Sequence, residues 1–240
     1  MNKASRIVVG VLALVIIPAY SYPLEAIPSA IIESIRQGMV LMICPNGQAK
    51  SGFVANQSGK YYVFATAHMC DGIKIGQEVN CLVMAKPTDQ QLGCKLVAFN
   101  NERDVAVYSI PEGSYSLSPV KISPAKIHSG MEIGFAGYPF AIKGVFVVVP
   151  RKGMISSTYT LNLSVEDPQT KAKRTIDVKY FLIDGISNPG DSGGPVFITE
   201  TGEVIGMLVG MTGAVDVSDK QTGIFLAVPV EYLSQLLKEP

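Results

Sequence analysis

Histidine is scarce in this 240-residue chain, with two copies, and neither sign of charge is in excess, 20 Lys and Arg facing 20 Asp and Glu. Without a basic surplus nothing marks a nucleic-acid surface or an anionic membrane, so nucleic acid is not an expected partner. The four cysteines (Cys44, Cys70, Cys81, Cys94) contain no C-x-x-C pair. Those spacings and the shortage of imidazoles argue against zinc, and no motif calls for another metal or a cofactor. No apolar run reaches the ~20 residues of a spanning helix, and no segment is of low complexity. What is present, 48% hydrophobic and 17% charged residues, is the composition of a globular protein long enough to bury a core. The one basic cluster, Lys171 to Arg174, is expected in a solvated loop.

The first 21 residues have the layout of an export signal. "MNKASR" is a basic start, Ile7 to Ala19 is an apolar stretch, and the small residues Ala19 and Ser21 suit cleavage after Ser21. An uncleaved tether is the alternative. Cleavage would remove Lys3 and Arg6 and leave 18 basic against 20 acidic residues. An exported chain meets an oxidising compartment, periplasmic or extracellular, where an even number of cysteines points to disulfides. The hairpin-like segment between Cys81 and Cys94 favours that pair, which leaves Cys44 with Cys70.

Beyond the signal, "PSAIIESIRQG" places Ile31, Ile32 and Ile35 on one helical face, with Gly38 as its stop. Short Val-, Ile-, Tyr- and Phe-rich segments then alternate with turn residues: about six up to residue 110, and six or seven more from residue 125. Residues 111–124, with three prolines and no long apolar run, compose a linker. A short amphipathic helix carrying Leu233, Leu236 and Leu237 closes the chain. The expected fold is all-β: two six-stranded antiparallel barrels, residues 22–110 and 125–240, joined by 111–124, with an N- and a C-terminal helix.

Chemistry concentrates in "DGISNPGDSGGPVF", Asp184 to Phe197, where three glycines surround Ser192 within five residues. A nucleophilic serine needs a base, and the base needs an acid to orient it. His68 ends an apolar strand in "VFATAHMC", whereas His128 lies in the polar stretch "AKIHSG". The strand end offers the rigidity that catalysis requires. Chain order then separates the serine-hydrolase folds. "GDSGG" satisfies G-x-S-x-G, but no histidine follows Ser192, which the α/β-hydrolase order requires. The subtilisin order needs an aspartate before the histidine, and the first aspartate is Asp71, after His68, so that order fails unless His128 is the base. The order His, Asp, Ser remains. Among Asp71, Asp89, Asp104, Asp167, Asp177 and Asp184, Asp104 is favoured because it opens the alternating strand "DVAVYSI". The competing reading of Asp104 is a surface ion pair with Arg103.

"TAH" at 66–68, "RDVAVYSI" at 103–110 and "NPGDSGGPVF" at 188–197 resemble the three catalytic motifs of chymotrypsin-fold serine proteases. "SGFV", "IGFAGYPF", "GMISS", "GEVIGM" and "GIFLAVPVEYL" are similar, in order, to the bacterial HtrA-type branch, over roughly residues 30 to 237. The C-terminal PDZ domain usual in that branch is not among these residues. The resemblance implies an endopeptidase acting on polypeptides, with Ser192 as nucleophile, His68 as proton shuttle and Asp104 as its orienting acid. It implies an oxyanion hole from the backbone amides of Gly190 and Ser192, with Asp191 as a further contributor. Ile186 would lie near the base of the specificity pocket, where an apolar residue suggests an apolar P1 preference. Asp191 matches the animal-trypsin pattern, in which this aspartate pairs with an N-terminus released by activation. "RIVVG" at 6–10 imitates such a site but lies inside the apolar signal stretch, so Asp191 is expected to find its partner within the protein. The rival expectations are a silent protease-fold binding protein and an esterase using the same triad.

Overall fold

Residues 26–238 are described in the computed structural model, apart from 71, 84, 87–88, 114–115, 124, 167–170 and 211–222. The expected export signal lies outside the described residues. Helix α1 (Ser29–Gly38) turns Ile35 inward, with its Arg36–Glu33 pair in solvent. It ends at Gly38, where a Cβ would press on Val120 Cγ1 at 2.6 Å.

Eight strands follow: β1 (Met39–Ile43), β2 (Ala49–Gln57), β3 (Lys60–Ala65), β4 (Glu78–Val83), β5 (Ala85–Lys86), β6 (Gln90–Asn100), β7 (Val105–Ser109) and β8 (Ser116–Leu117). Six of them close a barrel in the order β1-β2-β3-β7-β6-β4, while β5 and β8 pair as a separate two-stranded sheet. The second barrel has the order β10-β11-β14-β13-β12-β9. Its strands are β9 (Glu132–Gly137), β10 (Val149–Glu166), β11 (Lys173–Asp184), β12 (Pro195–Ile198), β13 (Val204–Leu208) and β14 (Ile224–Pro229), and helix α2 (Glu231–Leu236) follows. The expected architecture of two six-stranded antiparallel barrels with short terminal helices is the one observed.

The period-2 alternation of the strands serves two cores at once. In β1, Val40 and Met42 point into the first barrel's own cluster, while Met39 and Leu41 join a larger shared cluster. The second barrel divides likewise: Phe181 and Ile183 face its own cluster, Val178 and Tyr180 the shared one. Residues of α1 and α2 (Ile35, Tyr232, Leu233, Leu236) seal the shared cluster. The segment between the barrels is tied to both, through Val120 N to Val54 O (2.8 Å) and Val204 N to Lys121 O (2.7 Å).

Three expectations are corrected. The Val- and Ile-rich segments "VFVVVP" (145–150) and "GMISSTYT" (153–160), which read in the sequence as two strands, do not form separate strands. Val145, Phe146 and Val147 are exposed outside the sheet, and β10 runs unbroken for 18 residues through Gly153, pairing first with β9 and then with β11. Gly153 is there for close packing: a Cβ would sit 2.7 Å from Asp184 O. The basic cluster is not simply a loop, since Lys173 and Arg174 begin β11 and Arg174 pairs with Glu102 at 3.6 Å. Cys81 and Cys94 are free, buried thiols rather than a disulfide. In the register Cys81 faces Leu92 and Cys94 faces Val79, so the two are diagonal neighbours. Diagonal partners stand farther apart than the ~3.8 Å between Cβ atoms that a disulfide needs. Contact with Cys94 and burial push the Cys81 thiol well above its ordinary value, which keeps it protonated. The Cys70 side chain lies outside the described residues.

Phe197 belongs to the shared cluster and is fully buried, with its ring over Gly134. Phe197→Ala is expected to cost about 3–5 kcal/mol of stability, measurable by urea unfolding; a loss below 1 kcal/mol on the same scale would mean the barrels do not depend on that contact.

Candidate active site

His68 lies in a 3-10 turn, Ala67–Cys70, that follows β3, and Asp104 ends the turn before β7. Adjacent pairing of β3 with β7 brings the two turns together. Both carboxylate oxygens of Asp104 are used: Oδ2 lies 2.7 Å from His68 Nδ1, and Oδ1 accepts the His68 backbone N–H at 2.9 Å. One carboxylate therefore fixes the position and the rotation of the imidazole. Asp104 is 6% exposed and adopts φ 54, a left-handed conformation that only a few per cent of non-glycine residues take. Strain of this kind gathers where geometry serves function. The surface ion pair with Arg103 is not formed. Arg103 instead lies over the Tyr232 ring at 4.4 Å and donates to Gln235 Oε1 at 3.2 Å. His128 is exposed, with Nδ1 3.1 Å from Ser129 O and no carboxylate bonded to it among the described residues.

Ser192 lies in the connection from β11 to β12, and no hydrogen bond joins its Oγ to His68 among the described residues. The loop around it is tightly built. Gly190 has φ 102, and a Cβ there would sit 2.5 Å from Tyr138 O. A Cβ on Gly194 would be driven into the Ala136 carbonyl. The amides of this loop divide into two sets. Asp191 N donates to Asn188 O (3.0 Å), Gly193 N to Leu208 O (2.7 Å) and Gly194 N to Asp191 O (2.9 Å). Gly190 N and Ser192 N have no protein acceptor among the described residues. Two free donors bracket Asp191, whose own amide is engaged, so the expected contribution of Asp191 to an oxyanion hole is not available in this geometry.

The Asp191 side chain is wholly buried and meets Arg151 of β10, Nη1 to Oδ2, at 2.5 Å. Oδ2 also accepts the Asn188 amide at 2.7 Å. Burial pushes the Asp191 carboxyl above its ordinary value, opposed by the hydrogen bonds from Arg151, Asn188 and Ser187. The internal partner anticipated for Asp191 is thus Arg151, a residue whose role the sequence pattern did not single out. Arg151 Nη1 also donates to Ile186 O at 3.3 Å, while the Ile186 side chain is 73% exposed. Ile186 contributes its carbonyl to the loop, not an apolar pocket floor, and the P1 preference drawn from it loses its basis. A second unanticipated contact crosses between the barrels. Ser51 Oγ of β2 donates to Gly190 O (2.7 Å) and accepts from Tyr138 N (2.9 Å).

The buried pair sets a pH dependence. With its folded value raised, Asp191 favours folding when protonated and loses that contribution as pH rises through the folded value. Arg151→Met removes the largest opposing contact and raises Asp191 further. The variant is expected to lose about 3–5 kcal/mol near neutral pH, and much less near about pH 2.5, below the ordinary aspartate value, where the carboxyl is protonated in both states. Urea unfolding at the two pH values checks this; an equal loss at both would mean that the Arg151 charge does not act through Asp191.

No curated protein sequence matches the chain. Among solved structures, the Rv3671c protease from M. tuberculosis in its active form superposes with a TM-score of 0.64 at 19% identity, over 87% of this chain and 82% of that one. The inactive form of Rv3671c gives 0.62 at 17%, over 87% and 91%. A serine endoprotease from Yersinia pestis gives 0.62 at 17%, over 88% of this chain and 65% of its own. At these identities the likeness shows the shared fold. The trypsin-like peptidase domain matches by sequence over residues 50–207, from Lys50 in β2 to Met207 in β13. That span covers more than half of the chain, including Ser51, His68, Asp104, Arg151 and Ser192, and on it the chain belongs to the trypsin-like peptidase family.

Proposed function

We propose that this serine endopeptidase cleaves polypeptides through Ser192, with His68 as the proton shuttle and Asp104 as the group that orients it. The observation that carries the reading is the two-point hold of Asp104 on His68, at 2.7 Å to Nδ1 and 2.9 Å to the backbone N–H. With Nδ1–H donating to Asp104, Nε2 is the ring nitrogen left to accept a proton. Ser192 Oγ attacks the scissile carbonyl carbon as its proton passes to Nε2, and the carbonyl oxygen becomes an oxyanion. The Gly190 and Ser192 amides receive that charge, a donor of this kind contributing about 3–4 kcal/mol to the transition state. The tetrahedral species collapses to an acyl-enzyme, and the proton on Nε2 leaves with the amine product. Water then attacks the acyl carbon, gives its proton to Nε2, and a second collapse returns the proton to Ser192 Oγ. Asp104 remains ionised throughout and stabilises the imidazolium.

Export before action belongs to the same reading. It is supported by the basic start and apolar stretch of residues 1–21, with periplasmic or extracellular cleavage of polypeptides as the consequence. The pairing of Cys44 with Cys70 fits that compartment, and Cys44 being in the disulfide-bonded state supports it.

Labelling of the purified protein with a fluorophosphonate probe tests the assignment. Wild type is expected to label, whereas Ser192→Ala and His68→Ala are not, and turnover of a peptide substrate is expected to fall on the order of 10⁶-fold in either variant. A folded wild type that neither labels nor hydrolyses would make the chain an inert binding protein. Turnover of simple esters without peptides would make it an esterase.

A further inference from the structure

We propose that Ser51, on the first barrel, is a positioning residue for the oxyanion-binding loop of the second. The inference rests on the reading of Ser192 and Gly190 given above. Ser51 lies opposite Leu41 in the β1–β2 ladder and is fully buried in a run of otherwise apolar residues. A hydroxyl there is favourable only where both its donor and its acceptor are used. Both are, and both partners belong to the other barrel: Gly190 O at 2.7 Å and Tyr138 N at 2.9 Å.

The Gly190 carbonyl and the Asp191 amide are the two ends of one peptide plane. Asn188 O holds the N–H end at 3.0 Å, and Ser51 Oγ holds the C=O end at 2.7 Å. A peptide whose φ belongs to glycine is otherwise free to flip, and Gly190 sits at φ 102. With both ends of the plane fixed, the preceding Gly190 N–H and the following Ser192 N–H keep the directions that leave them free for an oxyanion. The Tyr138 contact closes the junction, because Tyr138 O is the atom that a Cβ on Gly190 would strike. A hydroxyl suits this place because it donates to a carbonyl and accepts from an amide with one atom.

A purely structural hydroxyl would change stability and leave the chemistry of the folded fraction intact. A positioning hydroxyl changes kcat while KM stays, because the contact it supports is made in the transition state. The experiment compares wild type, Ser51→Ala and Ser51→Cys, the last keeping the volume with a weak donor. Peptide kcat and KM and the fluorophosphonate labelling rate are measured below each protein's Tm, on fractions shown folded by circular dichroism. Folded Ser51→Ala is expected to lose about 10²-fold in kcat and in labelling rate, as for a misplacement of about 1 Å. Its KM is expected to stay within about twofold, with Ser51→Cys between it and wild type. Unchanged kcat in either folded variant overturns the proposal, as does a loss that active-site titration traces to unfolded protein. If Ser51→Ala does not fold, Ser51→Cys decides by the same criteria. A folded wild type that does not label overturns the Ser192 assignment itself, an outcome distinct from failure of the Ser51 variants alone.

Discussion

The two barrels share one apolar cluster, and the rest of the molecule depends on that sharing. A strand with both faces buried cannot turn or slip without exposing one of them. Met39 and Leu41 are held by the shared cluster while Val40 and Met42 are held by the first barrel's own. The relative position of the barrels is therefore fixed by packing, and polar groups need only refine it. This matters because the candidate chemistry is divided: His68 and Asp104 come from the first barrel, Ser192 and its amides from the second.

Three polar devices refine the site, each closing a different freedom. Asp104 fixes the imidazole in place and in rotation. Arg151 holds the buried Asp191 carboxylate and, through Ile186 O, the approach of the loop. Ser51 spans the barrels to Gly190 and Tyr138. All three use side chains that are buried or nearly so, where a hydrogen bond is strong and a missing partner is costly. The arrangement leaves Gly190 N and Ser192 N, on either side of Asp191, without a protein acceptor among the described residues.

The fold and the pairing of His68 with Asp104 were legible because they have local signatures. Alternating apolar residues and turn residues announce strands, and with only two histidines the strand-end setting of His68 was informative. Asp104 could be chosen because it stands at a strand start. What was not legible depends on pairings across long sequence separations. Arg151 lies 40 residues from Asp191, and Ser51 lies 139 from Gly190. Arg151 sits in an ordinary-looking "PRKG" and Ser51 in "SGFV", and neither string marks its polar side chain as one that reaches a distant loop. A glycine that ends a strand and one that admits a close neighbour look the same in sequence, and Gly153, inside β10, is of the second kind. The cysteines misled for the related reason that a hairpin specifies neighbouring strands before it specifies register. Ile186 was placed by counting from Ser192, and counting does not say which way a side chain points.

The source of the charge opposite Asp191 has one more consequence. A counter-charge carried by a chain terminus exists only when that terminus is free and correctly docked. Arg151 is an internal residue of β10, and it arrives at Asp191 when β9 and β10 pair. The loop's electrostatic support is thus a product of sheet closure and is insensitive to what is attached at either end of the polypeptide. A leader, a tether or a fused neighbour at the N-terminus leaves that ion pair untouched.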